Sequence, residues 1–162
     1  MVDRCCDSIQ GQMVVEAARR WIGTPYVHQA SSCQVGTDCL GLLRGIWRET
    51  VGPEREFPGA YSPSWAEAAG DEPMLSGLAR HLSRISQNRA SCGDVLVFRM
   101  REQAAAKHLA VLCSQSIKAP NATMIHAYSG HSVVETRLSA AWIRRIAGAF
   151  RLPAPDLADL HT

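Results

Sequence analysis

Aromatic residues make up only 6% of this 162-residue chain, and lysine is nearly missing: 15 of its 17 cationic side chains are arginine. Those arginines are scattered among acids and are not interleaved with aromatics, which excludes a nucleic-acid surface. No CxxC pair occurs, so the six cysteines lack the ligand spacing of a structural zinc site, and neither metal nor cofactor is expected. No apolar run approaches the roughly 18 residues that would cross a bilayer, and the opening MVDRCCDSIQ has no apolar signal segment. A chain made in the cytoplasm, not inserted in a membrane, follows as the expectation. A disulfide framework of the small secreted kind is disfavoured for the same reason. The cysteines then read as buried thiols plus, at one position, a nucleophile.

What is present has the balance of an ordinary globular protein, with 46% hydrophobic and 20% charged residues. At roughly 100–200 residues per domain, residues 1–162 are predicted to form a single domain. The net charge of +2 hides an asymmetry, since residues 1–81 carry −3 and residues 82–162 carry +5. We read the positive half as a solvated face suited to an anionic ligand.

Val14, Ala17, Ala18 and Trp21 recur at helical spacing within residues 13–22, and Gly23 ends that stretch. A loop follows. From Asp38 the helical period returns, with Cys39, Leu42, Leu43, Ile46 and Trp47 on one face. Residues 51–92 are rich in Pro, Gly, Glu and Ser and read as an ordered, loop-rich insertion. It has one helix near 74–85, and Phe57, Tyr61 and Trp65 supply it with something to bury. Beyond Gly93 the period becomes that of strands: DVLVFRM, HLAVLC, TMIHAY and SVVET. SAAWIRR reads as a short helix capped by Ser139, AGAFRL as a final edge strand, and residues 153–162 as an exposed tail. Helices first and a mostly antiparallel sheet afterwards make an α+β architecture.

Cys39 falls in the first turn of the second helix, where Asp38 or Thr37 is a good N-cap. Free backbone N–H groups and the positive dipole end favour a thiolate there, and the same groups can hold an oxyanion. The alternative is a small buried residue on an apolar face. His108 opens the strand HLAVLC and shares a face with Ala110 and Leu112, while His126 shares a face with Met124 and Tyr128. If these strands pair antiparallel with the two histidines directly opposite, His108 can take the Cys39 proton while His126 fixes its tautomer. Two unrelated core histidines are the competing reading. His28 ranks lower, as a residue that lines the cleft, and His81, His131 and His161 read as surface residues.

In order and spacing, WIGTPY, DCLG, GDVLVF, KHLAVL and MIHAY resemble the NlpC-like cell-wall cysteine peptidases, over residues of about 12–152. The resemblance implies a papain-like fold with N-terminal helices packed on the sheet. It implies Cys39 as nucleophile, His108 as general base, His126 as the orienting residue, and Tyr26 beside the nucleophile, with Tyr26 and Asp38 at the substrate and oxyanion side. It also implies hydrolysis of an amide in the peptide stem of peptidoglycan; relatives most often cut the bond from the γ-carboxyl of D-glutamate to meso-diaminopimelate. Two departures stand out. The commoner DCSG reads DCLG, which removes a polar contact at Leu40, and the Gly-Gly that often follows the PY segment is replaced by VHQASS.

HQAS, DCLGLLRGIWRE, GDVLVFRMR and KHLAVL look most like the branch encoded among tail genes of phages and gene transfer agents. That likeness implies tail hub or baseplate partners and action in the periplasm of a target cell. Arg99 or Arg101 would then bind carboxylates of the anionic stem. A structural tail component with a peptidase fold and little activity is the rival from another class. An amidase or acyltransferase of related architecture is a second rival, and a metal enzyme built from the cysteines and histidines a third.

Overall fold

The computed structural model describes residues 6–54 and 72–155. Helix α1 (Ile9–Arg20) begins where the Ser8 hydroxyl accepts the Gly11 N–H, and its apolar stripe, Val14, Ala17 and Ala18, is buried as its spacing predicts. It starts earlier than the stripe alone suggests, because the cap precedes the first apolar residue. A small hairpin, β1 (Ser31–Ser32) and β2 (Gly36–Thr37), leads into α2 (Cys39–Thr50). The two helices pack closely because Gly45 has no side chain: a Cβ there would lie 2.0 Å from the ring of Trp21, itself 1% exposed.

Next come α3 (Pro73–Ala79) and β3 (Ser83–Ile85), then β4 (Val95–Phe98), β5 (His108–Leu112), β6 (Thr123–His126), β7 (Val134–Arg137), α4 (Ala140–Arg144) and β8 (Ile146–Arg151). Among the described residues the sheet has six strands in the order β3-β8-β4-β5-β6-β7, with every pairing antiparallel. The α+β, papain-like class read from the sequence is the observed one. One face of the sheet, with Val95, Val97, Leu109, Val111 and Phe150, packs on the helices α1–α3; the other, with Leu96, Ala110, Leu112 and Met124, lies beneath Trp142 and Ile143 of or beside α4. The central strands are therefore buried on both faces, so they read as nearly continuous apolar runs.

Four expectations change. The helix near 74–85 stops at Ala79, and Ser83–Ile85 are a strand instead. AGAFRL is an interior strand, because β3 pairs with its far side and takes the edge. The β5–β6 register pairs Val111 with Ile125 and Leu112 with Met124, which brings His126 opposite Ala110, two residues from His108, so the two histidines are not directly opposite. Lastly, Cys6 and Cys92, 86 positions apart with Cα atoms at 5.2 Å, form a disulfide. Its cause is the approach of the start of α1 to the turn before β4, where the Gly11 and Cys92 backbones touch. The ring residues Phe57, Tyr61 and Trp65 of the insertion lie outside the described residues, as do Cys5, His161 and the tail beyond Pro155.

Because Trp21 is fixed in the core, Gly45→Ala is expected to lower the unfolding free energy by about 1–3 kcal/mol through overpacking. Urea denaturation of the two proteins measures this, and an unchanged midpoint would show that the helices can move apart freely.

Candidate active site

Helix α2 exposes unpaired N–H groups at its start, and the side chain of Asp38 supplies the cap. One Asp38 oxygen accepts the Gly41 N–H at 2.8 Å and the other accepts the Gln29 N–H at 2.7 Å. Gly41 is required here: a Cβ would fall 1.9 Å from the Ala30 carbonyl oxygen. The carboxylate is thus buried, 1% exposed, and tied to backbone on both oxygens. Its position is that of a cap joining the loop to the helix. The imidazole of His28 lies 3.8 Å from it at the protein surface.

Cys39 follows in the first turn, with its thiol donating to the Lys107 carbonyl at 3.8 Å and its sulfur approached by the Leu109 N–H. The sulfur therefore rests against the peptide units on either side of His108. Nε2 of His108 is 2.9 Å from Nδ1 of His126, a diagonal contact between neighbouring strands that the offset register permits. Nε2 of His126 is in turn 3.0 Å from the Thr136 hydroxyl. Trp142 covers both rings, with centroids 5.7 Å from His108 and 5.5 Å from His126. Tyr26 is half-buried on the other side, joined to Thr37 by a backbone bridge, and burial and then the nearby Cys39 and Asp38 charges raise its phenol pKa.

The structure thus brings Cys39, His108, His126 and Tyr26 together. Thr136 and Trp142 belong to the same cluster and were missed. The strand period of SVVET would have put Thr136 on one face, but nothing in it points to a histidine partner. His81, expected at the surface, packs edge-on against Trp47, and Arg99, offered for substrate carboxylates, is engaged by Glu72 and the Ala104 carbonyl.

Electrostatically the cluster is a dry one. Burial, followed by the Asp38 charge, pushes the Cys39 thiol up to about 12, against the lowering effect of the N–H groups of Leu109, Leu40 and Cys39 itself. The thiolate expected from the helix terminus is therefore not the resting form, because desolvation outweighs the N–H groups. Burial and then His126 lower His108 to about 3, and burial and then His131 lower His126 to about 4. Burial therefore favours the neutral thiol and the neutral imidazoles alike. Such a site can transfer one proton from sulfur to imidazole when a substrate carbonyl is in place to take up the developing charge.

A helix whose first-turn cysteine rests against the backbone of a histidine-bearing strand, in a mostly antiparallel sheet, is the arrangement of a papain-like protein. The family model described as NlpC/P60 family matches residues 23–151, and the chain belongs to that family. The NlpC/p60 domain of the peptidoglycan hydrolase SagA is similar in structure, with a TM-score of 0.57 and 25% identity over 88% of this chain and 98% of that one. NlpC2 from Trichomonas vaginalis gives a TM-score of 0.61 at 16% identity, over 91% of this chain and 49% of that one. Ly7917 gives 0.52 at 10% identity, over 88% and 62%; these two show the fold alone. No curated protein matches the chain in sequence.

The histidine shifts fix a stability dependence on pH. Both folded pKa values, about 3 and about 4, lie below the ordinary value of 6.5, so the unfolded chain binds more protons in that interval. Stability is fully present above about pH 6.5 and is lost as pH falls toward 4, by at most about 1.4 kcal/mol per pH unit for each histidine. Chemical denaturation at pH 7, 6, 5 and 4.5 should show this slope, and the double variant His108→Gln, His126→Gln should flatten it. An equal slope in both proteins would assign the acid sensitivity to other groups.

Proposed function

We propose that this protein is a cysteine peptidase that hydrolyses an amide bond in the peptide stem of peptidoglycan. The observation that carries the reading is the line of contact from the Cys39 sulfur, past the backbone of His108, to the His108–His126 ring pair. Members of the NlpC/P60 family are cysteine peptidases acting on peptidoglycan, and the SagA domain is named for a peptidoglycan hydrolase.

In this mechanism His108 accepts the thiol proton as sulfur attacks the scissile carbonyl. The C–N bond breaks from the tetrahedral adduct while His108 returns the proton to the leaving amine. The Cys39 N–H and the Tyr26 hydroxyl hold the oxyanion. Water then adds to the thioester with His108 again as base, releasing the acid and restoring the thiol. His126 orients His108 and exchanges no proton with sulfur.

The finer reading is that the enzyme travels on the tail of a phage-like particle and opens the wall from the periplasmic side of a target cell. The sequence combination HQAS, DCLGLLRGIWRE, GDVLVFRMR and KHLAVL supports it. The tail hub or baseplate would be its partner.

Purified sacculi incubated with the wild type, Cys39→Ala, His108→Ala and His126→Ala test the enzymatic reading, with released muropeptides resolved by mass. The Cys39 and His108 variants should release none above background, and His126→Ala should retain part of the wild-type rate. Equal release by Cys39→Ala and wild type would refute the nucleophile assignment.

A further inference from the structure

We infer that Thr136 is a positioning residue, acting as the fourth member of the relay by accepting the Nε2 proton of His126 and thereby holding His108 in the tautomer that can deprotonate Cys39. The inference rests on the peptidase reading and adds a residue to it.

The argument is proton bookkeeping along three contacts. A neutral imidazole carries one N–H, and the nitrogen without it is the acceptor. Nε2 of His108 faces Nδ1 of His126 at 2.9 Å, so one proton lies between those two nitrogens. For His108 to receive the thiol proton, its free lone pair must be on Nδ1. Its own proton then sits on Nε2 and is donated to His126. Nδ1 of His126 must consequently be bare, which puts the His126 proton on Nε2, and the atom placed to accept it is the Thr136 oxygen at 3.0 Å. When His108 becomes imidazolium during attack, the same polarity is needed, now with a full charge to stabilise.

The fold supplies the geometry. In the β6–β7 register Met124 is opposite Thr136 and His126 is opposite Val134, so Thr136 is the diagonal neighbour of His126 on one sheet face. His108 and His126 use the same diagonal relation one strand earlier. Trp142 packs against both rings, and His126 itself is 4% exposed. Without the hydroxyl, the His126 Nε2–H loses its partner in a largely dry site, and the alternative tautomer gains. That alternative places a proton on Nδ1 of His126, pushes the His108 proton to its Nδ1, and leaves His108 no free ring nitrogen with which to take the thiol proton. Loss of the correct tautomer is costly even when geometry is intact.

The test uses Thr136→Val, which is close in shape without the hydroxyl, and Thr136→Ser, which restores it. Thr136→Val should lower kcat on sacculi or isolated muropeptides on the order of 10–100-fold with KM unchanged, and Thr136→Ser should recover most of the loss. Imidazole nitrogen NMR of the selectively labelled protein should show His126 as the Nε2–H tautomer in the wild type and Thr136→Ser, and a mixture or the Nδ1–H form in Thr136→Val. Wild-type kcat in Thr136→Val, or a loss of activity with the His126 tautomer unchanged, would overturn the inference. The tautomer measurement needs no turnover. If Cys39→Ala proves as active as wild type, the peptidase reading fails on its own while the role of Thr136 toward His126 is still decided by NMR.

Discussion

Both oxygens of the Asp38 carboxylate are held by backbone N–H groups, one from the first turn of α2 and one from the loop before it. The rest of the site depends on that tie. It starts the helix at Cys39, fixes the sulfur's height against β5, and anchors the VHQASS segment beside it. It also has an electrostatic consequence, since a buried negative charge one residue from the thiol opposes formation of a thiolate. The residue that builds the nucleophile's position therefore adds to the effect of burial in disfavouring a thiolate.

The two departures from the commoner family pattern fit around this carboxylate. Leu40, where a serine is usual, is 5% exposed and part of the apolar core, so its side chain offers the site no polar group. In the VHQASS segment, Gln29 takes a positive φ of 62° and gives its N–H to Asp38. The segment that replaces the glycine pair thus does backbone work at the cap, and it sets His28 next to the same carboxylate at the surface.

Much of this was legible in the sequence because periodicity records burial. Cys39, Leu42, Leu43, Ile46 and Trp47 announce the α2 face, and all five are buried. His108 with Ala110 and Leu112, and His126 with Met124, announce a shared sheet face. Register was not legible, since alternation is unchanged when a pairing shifts by two residues, and the loop between β5 and β6 decides it through contacts such as Cys113 N–H to the Thr123 carbonyl. The Cys6–Cys92 pair was hidden for a related reason: the partners are 86 positions apart, and only tertiary approach joins them. The short strand β3 follows α3 with too few residues for a period to show.

The protonation state of Cys39 was the least legible property, because it is set by two opposing quantities of which the sequence displays one. The helix N-terminus and its N–H groups can be read from Asp38-Cys39-Leu40-Gly41, and they favour negative charge. Burial between α2 and β5 can be seen only in three dimensions, and here it wins. Burial that raises the thiol pKa and lowers that of the imidazole shifts charge separation from the resting enzyme toward the transition state. The N–H groups around the sulfur and the hydrogen-bonded chain behind His108 then stabilise a charge pair that exists only while the carbonyl is under attack, and interactions that strengthen only at that moment are the ones that accelerate the step.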